Sequence, residues 1–242
     1  MEAIILAGGL GTRLRPVVPD VPKPIAPVRG VPFLLFVIDH WIEQGITRFV
    51  ISVGYRHEAI HAAIGLSRRG VEIEYAIERE PLGTGGALAT AAGSLVSRGA
   101  DVLALNGDTF FDIPLAALVR RHSERKAMLT IAARRPEGDV GRGYGGIEAA
   151  ADGRVRAFSG VTASAAGRLV NGGVYCLSPA LLEKLDATRG PCSLEAELFP
   201  EWVREGNGIY AFETQGVFID IGTPADYARA GDLLAGKLRR AS

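Results

Sequence analysis

Glu2-Ala3-Ile4-Ile5-Leu6-Ala7-Gly8-Gly9-Leu10-Gly11-Thr12-Arg13-Leu14, followed shortly by Pro22-Lys23-Pro24, is the stretch from which the rest of the chain can be read. The apolar run Ala3 to Leu6 predicts a buried strand that stops at the glycines. Gly8, Gly9 and Gly11 leave backbone N–H groups uncovered by side chains, so phosphate oxygens can approach them closely. Arg13 and Lys23 add the positive charge that a polyphosphate requires. Prolines on both sides of Lys23 restrict the backbone that carries it. A P-loop would need Gly-Lys-Ser/Thr after its spacer, and none follows. A dinucleotide fingerprint would need a third glycine where Leu14 stands, and an acid closing the second strand, which ends Ile51-Ser52-Val53-Gly54. A tight turn after a strand would explain the glycines, but not an adjacent arginine and a proline-flanked lysine.

Working outward, Val31 to Gln44 has helical spacing and stops at Gly45. Arg48 to Val53 reads as a strand, Glu58 to Leu66 as a helix, Val71 to Ile77 as a strand, Gly86 to Val96 as a helix and Asp101 to Leu105 as a buried strand. This alternation predicts an α/β fold: a Rossmann-like, mostly parallel sheet with helices on both faces and a ligand at the carboxyl ends of the strands. The first and fourth of those strands end at Gly8-Gly9 and Asn106-Gly107-Asp108, on one rim. The second half is less regular. Met128 to Ala133, Ile147 to Ala149, Arg154 to Phe158 and Arg168 to Leu177 are strand candidates, with Ser193 to Arg204 and Pro224 to Leu238 helical. No linker, repeat or low-complexity tract interrupts the chain, so residues 1–242 are read as a single domain.

Asp108 follows an apolar strand and a glycine, which places it at the rim. Asp220 lies in Phe218-Ile219-Asp220-Ile221-Gly222, where a carboxylate among large apolar residues is costly unless paired. Two aspartates sharing nucleotide phosphates suit Mg²⁺, which takes a few carboxylates plus phosphate oxygens and water. A cap or salt-bridge role for Asp220, and a turn-forming role for Asp108, explain the same spacing. Lys+Arg and Asp+Glu balance at 27 each, which gives no basic field for nucleic acid. Cys176 and Cys192 sit in no metal-ligand spacing and read as reduced thiols. His57 and His61, one helical turn apart, lack a third ligand. No basic leader or membrane-length apolar run is present, so the expectation is a cytoplasmic protein without a membrane partner. The oligomeric state stays open, a homo-oligomer included.

LAGGLGTRLRP (6–16), VPKPIAPVRGVPFL (21–34), PLGTGGAL (81–88), LNGDTFFD (105–112), VNGGVY (170–175) and FIDIGTPADY (218–227), in that order, closely resemble the sugar-1-phosphate nucleotidyltransferases, or sugar-nucleotide pyrophosphorylases. The resemblance runs over nearly the whole chain and is strongest toward the guanylyl-transferring branch. It implies a nucleotidyl transfer from a nucleoside triphosphate, GTP favoured, to a sugar 1-phosphate of heptose or mannose type, with Mg²⁺ as cofactor. It also implies a smaller β-rich lobe that holds the sugar; many relatives carry a C-terminal β-helix, which is not expected here because the chain ends before one could begin. Carried over residue by residue, Arg13, Lys23 and Asp108 are catalytic, and Asp108 with Asp220 hold the metal. Leu6, Ala7, Gly8, Gly9, Gly11, Thr12, Glu80, Gly85 and Asn106 contact the nucleotide, and Gly107, Asn171, Gly172 and Glu195 the sugar. Glu80 stands where uridylyl- and thymidylyl-transferring relatives tend to carry Gln. A carboxylate can accept from N1–H and N2–H₂ of guanine together. The plain alternative makes Glu78 and Glu80 solvent-facing charges at a strand end. The chain departs from the family at Ala157-Phe158-Ser159-Gly160-Val161, where relatives carry Glu-Lys. Arg142 or Arg168 are the candidates to replace that lysine. A UDP- or dTDP-sugar product, and a non-catalytic sugar-nucleotide-binding relative, are the competing readings.

Overall fold

A computed structural model describes residues 1–136, 146–159 and 168–237. The first strand, β1 (Glu2–Leu6), is followed by the glycine loop and a short 3₁₀ turn at Lys23–Ile25. A small hairpin then forms from β2 (Pro27–Val28) and β3 (Val31–Pro32). Its two-residue turn, Arg29-Gly30, has φ of 51° and 79°, the positive values a tight hairpin of this kind requires. This hairpin takes Val31 and Pro32 out of the expected helix, so α1 covers Phe33–Glu43. β4 (Arg48–Val53), α2 (His57–Ile64), β5 (Ser67–Arg68), β6 (Val71–Ile77), α3 (Gly83–Ala92) and β7 (Val102–Asn106) complete the alternating half. β4 and β6 have the expected bounds. α3 begins three residues earlier than its apolar spacing suggests.

The second half holds β8 (Thr109–Phe111), α4 (Leu115–Glu124), β9 (Leu129–Arg134), β10 (Gly146–Ala149), β11 (Val155–Ser159) and β12 (Leu169–Leu177). It ends with α5 (Pro179–Leu185), α6 (Phe199–Arg204), β13 (Ile209–Glu213), β14 (Phe218–Asp220) and α7 (Pro224–Leu233). The helix expected over 193–204 splits into a wide π turn at Leu194–Leu198 and α6. Leu238 of the expected last helix, with Arg142, Gly160 and Val161, lies outside the described residues.

The ten-stranded sheet is mixed. Its order runs β11-β10-β12-β7-β1-β4-β6-β5, with β9 on β12 and β13 on β9. The centre, β7-β1-β4-β6, is parallel, and the antiparallel pairs lie outside it. Alternation along each strand divides the core between two faces. Ala3 and Ile5 of β1 point to the side covered by α1, α2, α4 and α7, while Ile4 points to α3, α5 and α6. β8 and β14 form a separate two-stranded sheet that no local pattern announces. α7 is tied back to the first hairpin by Tyr227 Oη donating to Pro27 O (2.5 Å) and Arg29 Nε donating to Gly231 O (2.7 Å). The carboxyl ends of β1 and β7 therefore open side by side, Leu6 opposite Asn106, with β14 delivered to them by β8.

Candidate active site

The glycine loop begins where β1 stops. Ala7 N–H donates to Ser52 O (2.8 Å) and Gly107 N–H to Leu6 O (2.9 Å), so three strand ends are sewn together beneath it. Gly107 carries no side chain because a Cβ there would lie 2.9 Å from Leu6 O. Gly11 has φ of 60°, and a Cβ on it would meet Lys23 Cβ at 3.0 Å, which is how the loop lies against the lysine. Leu6, Ala7, Gly9, Leu10, Gly11, Thr12 and Arg13 line a recess of about 350 Å³ with Lys23, Pro24, Asp108 and Gly222.

Lys23 Nζ donates to Asp108 Oδ2 at 2.5 Å and to Asp220 Oδ1 at 3.3 Å. Residues from the start, the middle and the end of the chain thus meet at one ammonium. Asp108 Oδ1 accepts from Thr109 Oγ1 (3.2 Å), and Asp220 Oδ1 also accepts from Gly222 N–H (2.6 Å). Burial, then the neighbouring Asp108 carboxylate, push Asp220 above the usual carboxylate range, against the opposing pull of Lys23 and the Gly222 N–H. Gly222 also keeps the centre open. A Cβ there would lie 2.9 Å from Lys23 Nζ and 3.3 Å from Arg13 Nη2.

The two acids after β6 have different surroundings. Glu80 is solvent-exposed, whereas Glu78 is buried beneath the loop. Glu78 Oε1 accepts from Ser52 Oγ (2.8 Å) and Oε2 from Leu82 N–H (3.2 Å). On sequence Glu78 falls in the stretch that resembles the base-reading segment, with a solvent-facing charge as the alternative, and the structure buries it. Its partner, Ser52 on the adjacent strand, is the contact a linear pattern cannot supply. Gly85 packs against Cys192. Its N–H donates to Cys192 O (2.9 Å), and a Cβ would meet Cys192 Sγ at 2.6 Å, so close packing against the 190–193 loop occupies it.

Asn171 and Glu195 converge through Tyr175. Asn171 Nδ2 donates to Tyr175 Oη at 2.9 Å, Tyr175 Oη lies 3.5 Å from Glu195 Oε1, and Thr84 Oγ1 donates to Glu195 Oε2 at 2.8 Å. Tyr175 and Thr84 had no signal beyond their motifs. Gly172 is packed on Phe111, where a Cβ would lie 2.5 Å from the ring. Gly173, at φ of 67°, presses against Asn106, whose Oδ1 is buried without a hydrogen-bond partner. Arg168 is held by Glu148 at 2.6 Å.

A larger recess, about 510 Å³, lies beside α4, but Arg135 is paired with Glu213 (2.6 Å), Arg120 with Glu124 (3.9 Å), and Arg121 donates to Asp152 O (2.7 Å). Asp101, His122 and Cys176 come together at the other end of β7, far from Asp108. Burial there pushes the Cys176 thiol well above the ordinary thiol range, and His122 Nδ1 is already paired with Thr130 Oγ1 (2.8 Å). Among the described residues no helix is long and apolar enough to cross a membrane.

The family model described as nucleotidyl transferase matches residues 2–236. The chain is 40% identical to a D-glycero-alpha-D-manno-heptose 1-phosphate guanylyltransferase of Aneurinibacillus thermoaerophilus, over 95% of this chain and 96% of that protein. It is 34% identical to the mannose-1-phosphate guanyltransferase beta-B of Xenopus laevis, over 94% of this chain but 62% of that longer protein. The crystal structure of HddC from Yersinia pseudotuberculosis complexed with GMP-PN superposes with a TM-score of 0.81 at 30% identity, covering 96% of this chain and 98% of that one.

Proposed function

Because the chain belongs to the nucleotidyl transferase family, we propose that it transfers a guanylyl group from GTP to a sugar 1-phosphate, heptose or mannose in type, and releases pyrophosphate. The observation that carries this reading is the convergence of the glycine loop, Lys23, Asp108 and Asp220 on one recess from four separate parts of the chain. The named guanylyltransferases and the GMP-PN complex support guanine over other bases.

In this reading the loop N–H groups and Arg13 hold the triphosphate, and Lys23 faces the reacting phosphates. A phosphate oxygen of the sugar 1-phosphate attacks the α-phosphorus, the bond to the β-phosphate oxygen breaks, and pyrophosphate leaves. No side chain need form a covalent bond; alignment and charge neutralisation supply the acceleration. Asp108 and Asp220 fit a divalent cation, since their hard carboxylate oxygens converge on a single positive centre. Mg²⁺ bound there would offset the charge on the phosphate oxygens. Glu80 reads the guanine edge in this assignment, with Glu78 fixing the loop from below. Asn171 and Glu195, joined through Tyr175, offer donors and acceptors to sugar hydroxyls. The cytoplasm, where nucleoside triphosphates are made, is the proposed place of work.

The test is a matrix of four nucleoside triphosphates against hexose and heptose 1-phosphates, followed by pyrophosphate release. GTP with a manno-configured sugar 1-phosphate should be the best pair. A preference for UTP or dTTP would remove the guanine assignment and leave transfer standing; no release with any pair would favour a binding protein.

A further inference from the structure

Lys23 is placed to do something besides facing phosphates. Its side chain is only 9% exposed, and its ammonium bridges the same two carboxylates that are assigned to the cation. Thr109 and the Gly222 N–H take up other acceptor capacity on those groups. A small divalent cation binds carboxylate oxygen at about 2.0–2.1 Å. Bound at Asp108 Oδ2 and Asp220 Oδ1, it would sit against an ammonium 2.5 Å from the first oxygen and 3.3 Å from the second. Two positive centres so close, in a half-buried site, repel strongly.

We propose that Lys23 is an exchangeable counter-cation. It neutralises Asp108 and Asp220 while the site is free of nucleotide, and gives up that place when a divalent cation enters. Its charge then passes to the phosphates lying on the glycine loop. Pro22 and Pro24 hold the backbone, and the close approach of Gly11 to Lys23 Cβ limits the base of the side chain. The ammonium end faces the space left by Gly222, with Arg13 and the loop on its far side. Cation and triphosphate therefore bind cooperatively: the cation displaces the lysine, and the phosphates receive it. The exchange rests on the assignment of Asp108 and Asp220 as cation ligands.

Mn²⁺ binding without nucleotide, followed at pH 8 by electron paramagnetic resonance, tests it on wild type, Lys23→Met, Lys23→Gln and Lys23→Arg. Removing the competing charge should tighten Mn²⁺ binding by about tenfold or more in Lys23→Met and Lys23→Gln. Lys23→Arg, which keeps the charge, should bind as weakly as wild type. Equal or weaker binding in both neutral variants overturns the exchange. A second measurement needs no variant: reductive methylation of Lys23 in wild type, read by mass spectrometry, should rise on adding Mg²⁺ alone, with exposed Lys126 as the unchanged reference. Labelling that stays constant at saturating Mg²⁺ also overturns it. Pyrophosphate release in the presence of EDTA separates the two levels. Release that persists removes the cation site and the exchange together. Mg²⁺-dependent release, with neutral variants no tighter for Mn²⁺, removes only the exchange.

Discussion

Gly8→Ala should damage this protein far more than Gly9→Ala, one residue along the same loop. A Cβ on Gly8 would lie 2.2 Å from Glu78 Oε1 and 2.9 Å from its carboxyl carbon, whereas one on Gly9 meets nothing within 4 Å. The shortfall at Gly8 is about 1 Å against ordinary contact distance. Glu78 cannot simply withdraw, because Ser52 Oγ and Leu82 N–H hold its two oxygens at 2.8 and 3.2 Å. Breaking one hydrogen bond to a charged group costs about 1.5–3 kcal/mol. The accompanying overpacking costs about 1–3 kcal/mol. Gly8→Ala should therefore lose about 3–5 kcal/mol in urea unfolding, against less than about 1 kcal/mol for Gly9→Ala. Where the loop moves instead of the acid, the loss appears in kcat/KM for the triphosphate. A cycle with Glu78→Ala locates the cause, since removing the carboxylate should bring the cost of Gly8→Ala below about 1 kcal/mol. Equal stability and activity of the two alanine variants, or an undiminished cost in the Glu78→Ala background, would refute the reasoning.

Asp108→Asn and Asp220→Asn should each cut pyrophosphate release by about two orders of magnitude or more at saturating Mg²⁺; activity within about threefold of wild type would dismiss the metal assignment. Because burial and Asp108 raise Asp220, its ionised form lowers native stability above the folded pKa, so Asp220→Asn should unfold at the same or higher urea concentration at pH 8. Glu80→Gln should lower kcat/KM for GTP by about one to two orders of magnitude and improve UTP or dTTP, while an equal loss for every nucleotide would show that Glu80 only supports its loop. Burial lowers His40 from 6.5 to about 4, so the unfolded chain takes up the proton first and stability falls on acidification. Between pH 7 and pH 5 that amounts to about 2 kcal/mol, and His40→Phe should flatten this part of the urea-midpoint profile.

The alternating half of the fold is legible because each element there carries its own local signal. Arg48–Val53 and Val71–Ile77 are bounded by glycines and charges, and the structure keeps those bounds. Elements defined by distant partners are not. β8 and β14 are three residues each and exist only through pairing with one another across more than a hundred residues of chain. The start of α3 at Gly83 is likewise set by backbone hydrogen bonds from Cys192 to Leu82 O and from Gly85 to Cys192 O. In the candidate site, Gly8, Lys23, Asp108 and Asp220 could be named from motifs. What the motifs do not contain is the direction each group faces: Glu78 inward beneath the loop, Glu80 outward, and Gly85 toward Cys192.

The pairing of β14 with β8 has a consequence for how this protein comes into being. All ten strands of the main sheet have been synthesised by the time Glu213 is made, because β13 is the last of them. Asp220 comes later, and the small second sheet holds it beside Lys23. Domains are synthesised from the amino terminus onward, and contacts between remote segments form slowly. Every strand of the main sheet and the glycine loop are therefore made before the second aspartate is added. The residues assigned to nucleotide handling are made first, and the acid that completes the pair is made among the last of the site.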